Sequence, residues 1–147
     1  MLGRLARWLR VLGFDAAYDA TASDRDLVQS ALDEDRILLT RDRHLLRELR
    51  PPRALEIQSD VPLKQLREVI GAFAVEAPTE LFTRCLLCNV PLADVPNGER
   101  STVVPARSRD LSGPVRRCAQ CGRVYWPGSH VRRMSAALAD ALPGWIS

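Results

Sequence analysis

No apolar run in the chain approaches the ~20 residues that a bilayer-spanning helix requires, which excludes such a helix from these 147 residues. The N-terminal stretch MLGRLARWLRVLGF threads arginines through its apolar positions instead of placing them ahead of a hydrophobic block, so it does not read as a signal peptide. Lysine is almost missing, one residue against twenty arginines, so any basic surface is an arginine surface. Bias toward disorder is also missing: 46% hydrophobic and 27% charged residues are ordinary globular values. Internal repetition is confined to one element, a pair of cysteines that occurs twice. The length suits one α/β domain with a small metal-stapled appendage and is too short for two full domains.

Cysteine is scarce, and its pattern is specific. Cys85-Leu86-Leu87-Cys88 and Cys118-Ala119-Gln120-Cys121 account for all four residues. A CxxC turn lets two thiolates reach one ion, and two turns complete the tetrahedral sulfur shell that zinc prefers, with no position left open for chemistry. The 29 residues between Cys88 and Cys118 suit a zinc ribbon with a β-hairpin between its knuckles. Two local disulfides, or a redox CxxC, are the alternatives, and each leaves the second pair as coincidence. Reduced, metal-spaced cysteines point to the cytoplasm.

Charge is unevenly distributed. Residues 100–133 hold eight arginines against the single acid Asp110, a local charge of +7 in a chain of net +3, so the remainder is −4. A basic module beside an acidic one is what a nuclease needs, one part for phosphates and the other for cations. A merely solvated arginine face gives the same count.

Helical spacing of Leu2, Leu5, Ala6, Leu9 and Leu12 predicts an amphipathic basic helix over 2–12, capped by Gly13. Phe14–Tyr18 reads as a short strand, Arg36–Thr40 as a clear one and Ala54–Gln58 as a weaker one. Helices are expected after Ser23, over His44–Leu49 until Pro51-Pro52, and after Ser59-Asp60-Val61-Pro62. This alternation implies a small parallel sheet of βαβ units. Residues around Pro78 mark the boundary to the ribbon. There Asn97-Gly98 reads as a turn and Val124-Tyr125-Trp126 as the last strand, with a short Ala-rich helix beyond Met134.

A parallel sheet binds its ligands beyond the carboxyl ends of its strands. Asp19, Asp42 and Asp60 follow the three expected strands, and Asp24 opens the helix after the first. Hard oxygen ligands gathered at one edge suit Mg²⁺ or Mn²⁺, which activates water and stabilises phosphodiester oxygens. Each aspartate also fits a helix cap. Asp42 stands out, two residues past an apolar strand and flanked by Arg41 and Arg43, which could pair with it or touch phosphate.

The stretches MLGRLARWLRVLGFDAAYD, ILLTRDRHLL, SDVPLKQLREV, RCLLCN and RCAQCGRVYWPGSHVRRM resemble the Mut-seven C-terminal RNase family, a PIN-like nuclease domain followed by a zinc ribbon. The resemblance implies a metal-dependent ribonuclease with Asp24 and Asp42 as acidic site residues and Asp60 as a weaker match. It divides the chain into a nuclease domain over 1–76, a ribbon over 84–134 and a tail over 135–147. Family members carry a strand ending in aspartate ahead of the MLG motif, where this sequence starts. Zinc at Cys85, Cys88, Cys118 and Cys121 is then structural, and Mg²⁺ or Mn²⁺ is catalytic. RNA is the expected partner, no membrane partner is expected, and Arg4, Arg41, Arg43, Arg123 and His130 are candidate phosphate contacts. Tyr125 and Trp126 are candidates for base stacking or for packing. A non-catalytic ribbon that binds nucleic acid or protein is the alternative.

Overall fold

Helical periodicity at the N-terminus produces α1 (Gly3–Val11) in the computed structural model, which describes residues 2–146. Leu5, Ala6, Leu9 and Val11 are buried, while Arg4 and Arg7 face solvent. Gly13 ends the helix: its φ of +92° is left-handed, and the N–H groups of Gly13 and Phe14 return to the carbonyls of Arg10 and Leu9. The chain folds as two compact units, Met1–Leu5 with Tyr18–Val75 and Ala6–Ala17 with Glu76–Ser147.

The first unit is α/β. Ser23 caps α2 (Asp24–Asp33) by accepting the Asp26 N–H at 3.2 Å. Then come β1 (Leu38–Thr40), α3 (Arg43–Leu49), β2 (Ala54–Glu56) and α4 (Pro62–Phe73). β1 and β2 pair in parallel, with Leu38 opposite Ala54 and Thr40 opposite Glu56. Val28, Leu38 and Leu45 form the core of α2, β1 and α3, flanked by Leu27, Ala31, Leu46 and Leu49. Each fully buried side chain of this kind contributes about 1.5–3 kcal/mol. Pro62 occupies the first turn of α4, where its missing N–H breaks no helical bond, and the helix buries Leu66 and Val69.

The strand expected over Phe14–Tyr18 does not form, so the parallel sheet has two strands among the described residues. Ala16 belongs to the second unit, and side chains of that unit take up its backbone groups instead. The Ala16 N–H donates to Asn89 Oδ1 at 3.0 Å, and the Ala16 carbonyl accepts from Arg10.

The second unit holds a three-stranded antiparallel sheet, β3 (Ala93–Asp94), β4 (Arg116–Arg117) and β5 (Val124–Tyr125), in that order. Asn97-Gly98 is not a hairpin turn. It opens a helical insert made of a 3₁₀ turn (Asn97–Glu99), α5 (Arg100–Val103) and a second 3₁₀ turn (Ala106–Ser108). The insert is retained because it supplies apolar surface: Val95, Val104 and Val115 are buried together, with Val103, Val124 and Trp126 packed around them. Arg100 closes it by donating to the carbonyls of Leu111 and Gly113.

The C-terminal helix α6 (Ser129–Ala141) starts before Met134, and Leu138 is its buried anchor. Its start is fixed by Gly128, where a Cβ would lie 2.5 Å from the Trp126 indole nitrogen. No helix of the described residues is long and apolar enough to cross a membrane.

Candidate metal centre and carboxylate edge

The two CxxC segments fold into the same turn. In the first, Cys85 N–H donates to Val90 O at 2.9 Å and Asn89 N–H to Cys85 O at 3.0 Å. In the second, Cys118 N–H donates to Arg123 O at 2.9 Å and Gly122 N–H to Cys118 O at 2.9 Å. Each turn closes on a left-handed residue, Asn89 at φ 58° and Gly122 at φ 79°. Cys88 N–H reaches Cys85 Sγ at 3.4 Å, and Cys121 N–H reaches Cys118 Sγ at 3.5 Å.

All four sulfurs lie within 4.8 Å of one another. Cys85 Sγ and Cys121 Sγ are 3.8 Å apart, far beyond a disulfide of about 2.05 Å. Zn–S bonds of about 2.3 Å in a tetrahedron give an S···S edge of about 3.8 Å. All four cysteines are free thiols, so geometry and donor chemistry both fit a zinc ion.

The first knuckle is the more enclosed. Cys85 is buried, and the Tyr125 hydroxyl sits 3.4 Å from its sulfur while accepting the Leu86 N–H at 2.9 Å. Burial raises the Cys85 thiol, but hydrogen bonds from Tyr125 and from the N–H groups of Cys88 and Leu87 outweigh it and lower it to about 6. Cys88 is pushed up to about 12 by burial and by its sulfur neighbours Cys121, Cys118 and Cys85. Burial, and donation to Cys85, also hold the Tyr125 phenol above its ordinary value, so it stays a donor.

Asn89 braces the same knuckle, donating to Asp15 Oδ1 at 2.6 Å and accepting from Ala16. Cys121, by contrast, is exposed. Tyr125 is buried with its ring 6.4 Å from that of Phe82, and Trp126 packs on the valine cluster, so both aromatics serve packing.

The aspartates are arranged differently. Asp42 is the N-cap of α3: Oδ1 accepts the Leu45 N–H at 3.1 Å, and Thr40 Oγ1 accepts the Asp42 N–H at 3.0 Å. Asp24 is the first residue of α2. Asp60 precedes Val61, the N-cap of α4, on a turn that α4 holds. Glu68 accepts the N–H groups of Gln58 and Ser59 at 2.8 and 3.0 Å, and Gln65 donates to Ser59 O at 2.8 Å. Hydrogen bonds from the Thr21 hydroxyl and N–H hold the Asp19 carboxyl below its usual value. All four are exposed.

Among the described residues, the cysteines are the one set of three or more His, Cys, Asp or Glu residues whose ligand atoms gather within 4.8 Å. Asp24, Asp42 and Asp60 therefore do not by themselves close a cation site.

Glu56 went unnoticed in the sequence, although as the last residue of β2 it stands opposite Thr40 at the carboxyl edge. Gln58 and Arg43, at 2.6 and 2.9 Å, lower its carboxyl. Arg43, Leu46, Arg47 and Glu56 line a cleft of about 420 Å³. Arg43 is thus partnered by Glu56, and Arg41 Nη2 lies 3.5 Å from Gln58 O. Arg4, Arg123 and His130 are exposed, and His130, in the first turn of α6, is outside the sulfur set.

Neither the curated proteins nor the solved structures contain a match to the chain. Residues 1–138 match the Mut7-C RNAse domain, and the chain belongs to that family.

Proposed function

We propose that the protein is a divalent-cation-dependent ribonuclease in which a PIN-like first unit carries the cleaving site and a zinc ribbon is structural. Membership of the Mut7-C RNAse domain family over residues 1–138 carries this reading. Asp42 is its central side chain, since it leaves the carboxyl end of a parallel strand, where α/β sheets bind their ligands. Its second carboxylate oxygen stays available while Oδ1 caps α3. Glu56 at the neighbouring strand end, with Asp24 and Asp60, adds negative charge to the unit, and Mg²⁺ or Mn²⁺ is the expected cofactor. Zinc at the four cysteines would have no open position and so serves the fold of the ribbon. Arg4, Arg41, Arg43, Arg123 and His130 are the proposed contacts to RNA phosphate.

The separation of the aspartates favours a second reading, a non-catalytic module that binds nucleic acid or protein. Asp42→Asn separates the two, because asparagine caps a helix as well as aspartate does and so removes the charge while sparing the fold. Cleavage of a labelled RNA should require Mg²⁺ or Mn²⁺ and be lost in Asp42→Asn, because the cation that activates water would lose an anionic ligand. RNA that is bound but never cut in either cation would leave the second reading standing.

A further inference from the structure

A buried guanidinium grips the first knuckle from behind. Arg10, on α1, is 8% exposed. Its Nε and Nη2 donate to Ala16 O at 3.0 and 2.8 Å, and its Nη1 donates to Leu86 O at 2.7 Å and reaches Leu87 O at 3.5 Å. Leu86 and Leu87 are the two residues between the paired cysteines. In a trans peptide the carbonyl and the following N–H point in opposite directions. Holding the Leu86 carbonyl outward therefore turns the Leu87 N–H inward, and holding the Leu87 carbonyl does the same for Cys88. The Cys88 N–H ends on the Cys85 sulfur at 3.4 Å, and the Leu87 N–H faces the same sulfur.

The guanidinium also faces Cys85, Cys88 and Asp15. Nothing equivalent among the described residues braces the second knuckle. Among the described residues no side chain donates to the carbonyls of Ala119 or Gln120, and Cys121 is open to solvent.

We propose that Arg10 is a positioning residue of the metal centre: by fixing the carbonyls of Leu86 and Leu87 it aims two backbone N–H groups at the Cys85 sulfur. The first knuckle thereby stands as a preformed half-site that loses its metal last. This rests on the zinc reading of the four cysteines. Partners of this kind, beyond the ligands themselves, typically change metal affinity by about 10–100-fold.

The test uses the full chain loaded with zinc, together with Arg10→Gln and Arg10→Lys. Elemental analysis first measures zinc per chain. If no zinc is held, the metal-centre reading fails and this proposal falls with it. With one zinc held, release to a chromophoric chelator should be about 10–100-fold faster in Arg10→Gln. Lysine keeps the charge but cannot fork across two carbonyls, so Arg10→Lys should resemble Arg10→Gln.

Iodoacetamide labelling read by mass spectrometry should modify Cys121 and Cys118 before Cys85 and Cys88 in the parent chain, an order lost in both variants. Stoichiometric zinc with unchanged release and labelling order in Arg10→Gln overturns the proposal, as does full rescue by lysine. If the variants do not fold, the parent chain loaded with ¹¹³Cd decides. NMR should detect scalar coupling from cadmium to the amide protons of Leu87 and Cys88, and absence of both couplings overturns the proposal.

Discussion

Cys85 and Cys118 occupy the same place in the same turn, with matching N–H to carbonyl bonds at 2.9 Å. Yet Cys85 meets a phenol hydroxyl and a backbone braced by Arg10, whereas Cys118 sits in a turn whose other cysteine faces solvent. The CxxC spacing therefore builds the turn, and residues distant in sequence decide how firmly each turn holds. The largest test of this difference is loss of metal. Structural zinc in small modules supplies an apparent ~10–16 kcal/mol of folding free energy, so a strong chelator should sharply lower the urea midpoint followed by the near-ultraviolet circular dichroism of Tyr125 and Trp126. Cys85→Ser should abolish stoichiometric zinc binding. Cys121→Ser, which keeps the braced pair and Cys118, should retain weakened binding by calorimetry. Equal losses in the two variants would erase the distinction between the knuckles.

Legibility in the sequence followed the range of the forces involved. The sulfur cluster could be read because each half is a four-residue turn, fixed by local backbone geometry, and the pairing of two turns leaves few alternatives. The α2 cap at Ser23, the α1 stop at Gly13 and the apolar β1 strand are local as well. Phe14–Tyr18 misled because apolar content alone does not make a strand: Arg10 and Asn89 took up the backbone groups of Ala16 that a ladder would have used. The helical insert at Asn97-Gly98 was hidden by a turn dipeptide whose neighbours Val95 and Val104 are drawn into one core. Arg10 and Tyr125 had no sequence signature, since their partners are 76 and 39 or 40 residues away. Of the carboxylates expected at strand ends, Asp42 follows β1, Asp60 lies four residues past β2, and Asp19 follows no strand, while Glu56 at the end of β2 was missed; spacing along the chain does not determine how closely such side chains approach.

Protonation offers a second contrast, this time within one knuckle of the metal-free protein. Cys85 is lowered to about 6 when folded, against about 8.5 in an unfolded chain. Between those values the unfolded state binds more protons, so stability rises with pH and is lost as pH falls toward 6. Cys88 is raised to about 12, so above about 8.5 the folded state holds the extra proton and stability falls as pH rises. Metal-free urea denaturation should therefore be most resistant near pH 8.5, and a curve rising steadily to pH 11 would contradict the opposed shifts. A smaller effect is expected for Tyr125→Phe in the zinc-loaded chain. It leaves the buried Leu86 N–H without its acceptor, which costs about 1–3 kcal/mol in thermal or urea unfolding.

The finest test exchanges the left-handed residues that close the two turns. At Gly122 an added Cβ would meet nothing within 4 Å, so Gly122→Ala carries a conformational cost alone, about 1–2 kcal/mol for φ 79° in an L-residue. Asparagine tolerates this region better than alanine, so Gly122→Asn should fall below that cost. Asn89→Gly runs the other way. It relieves φ 58° but removes the hydrogen bonds to Asp15 and Ala16, each worth about 1 kcal/mol, so the net change should be a small destabilisation. Zinc-loaded melting curves of the three variants separate the backbone from its surroundings. If the turns alone set stability, Asn89→Gly should stabilise the protein. If the contacts around the first knuckle hold it, as its enclosure implies, glycine there weakens the protein even though it frees the chain.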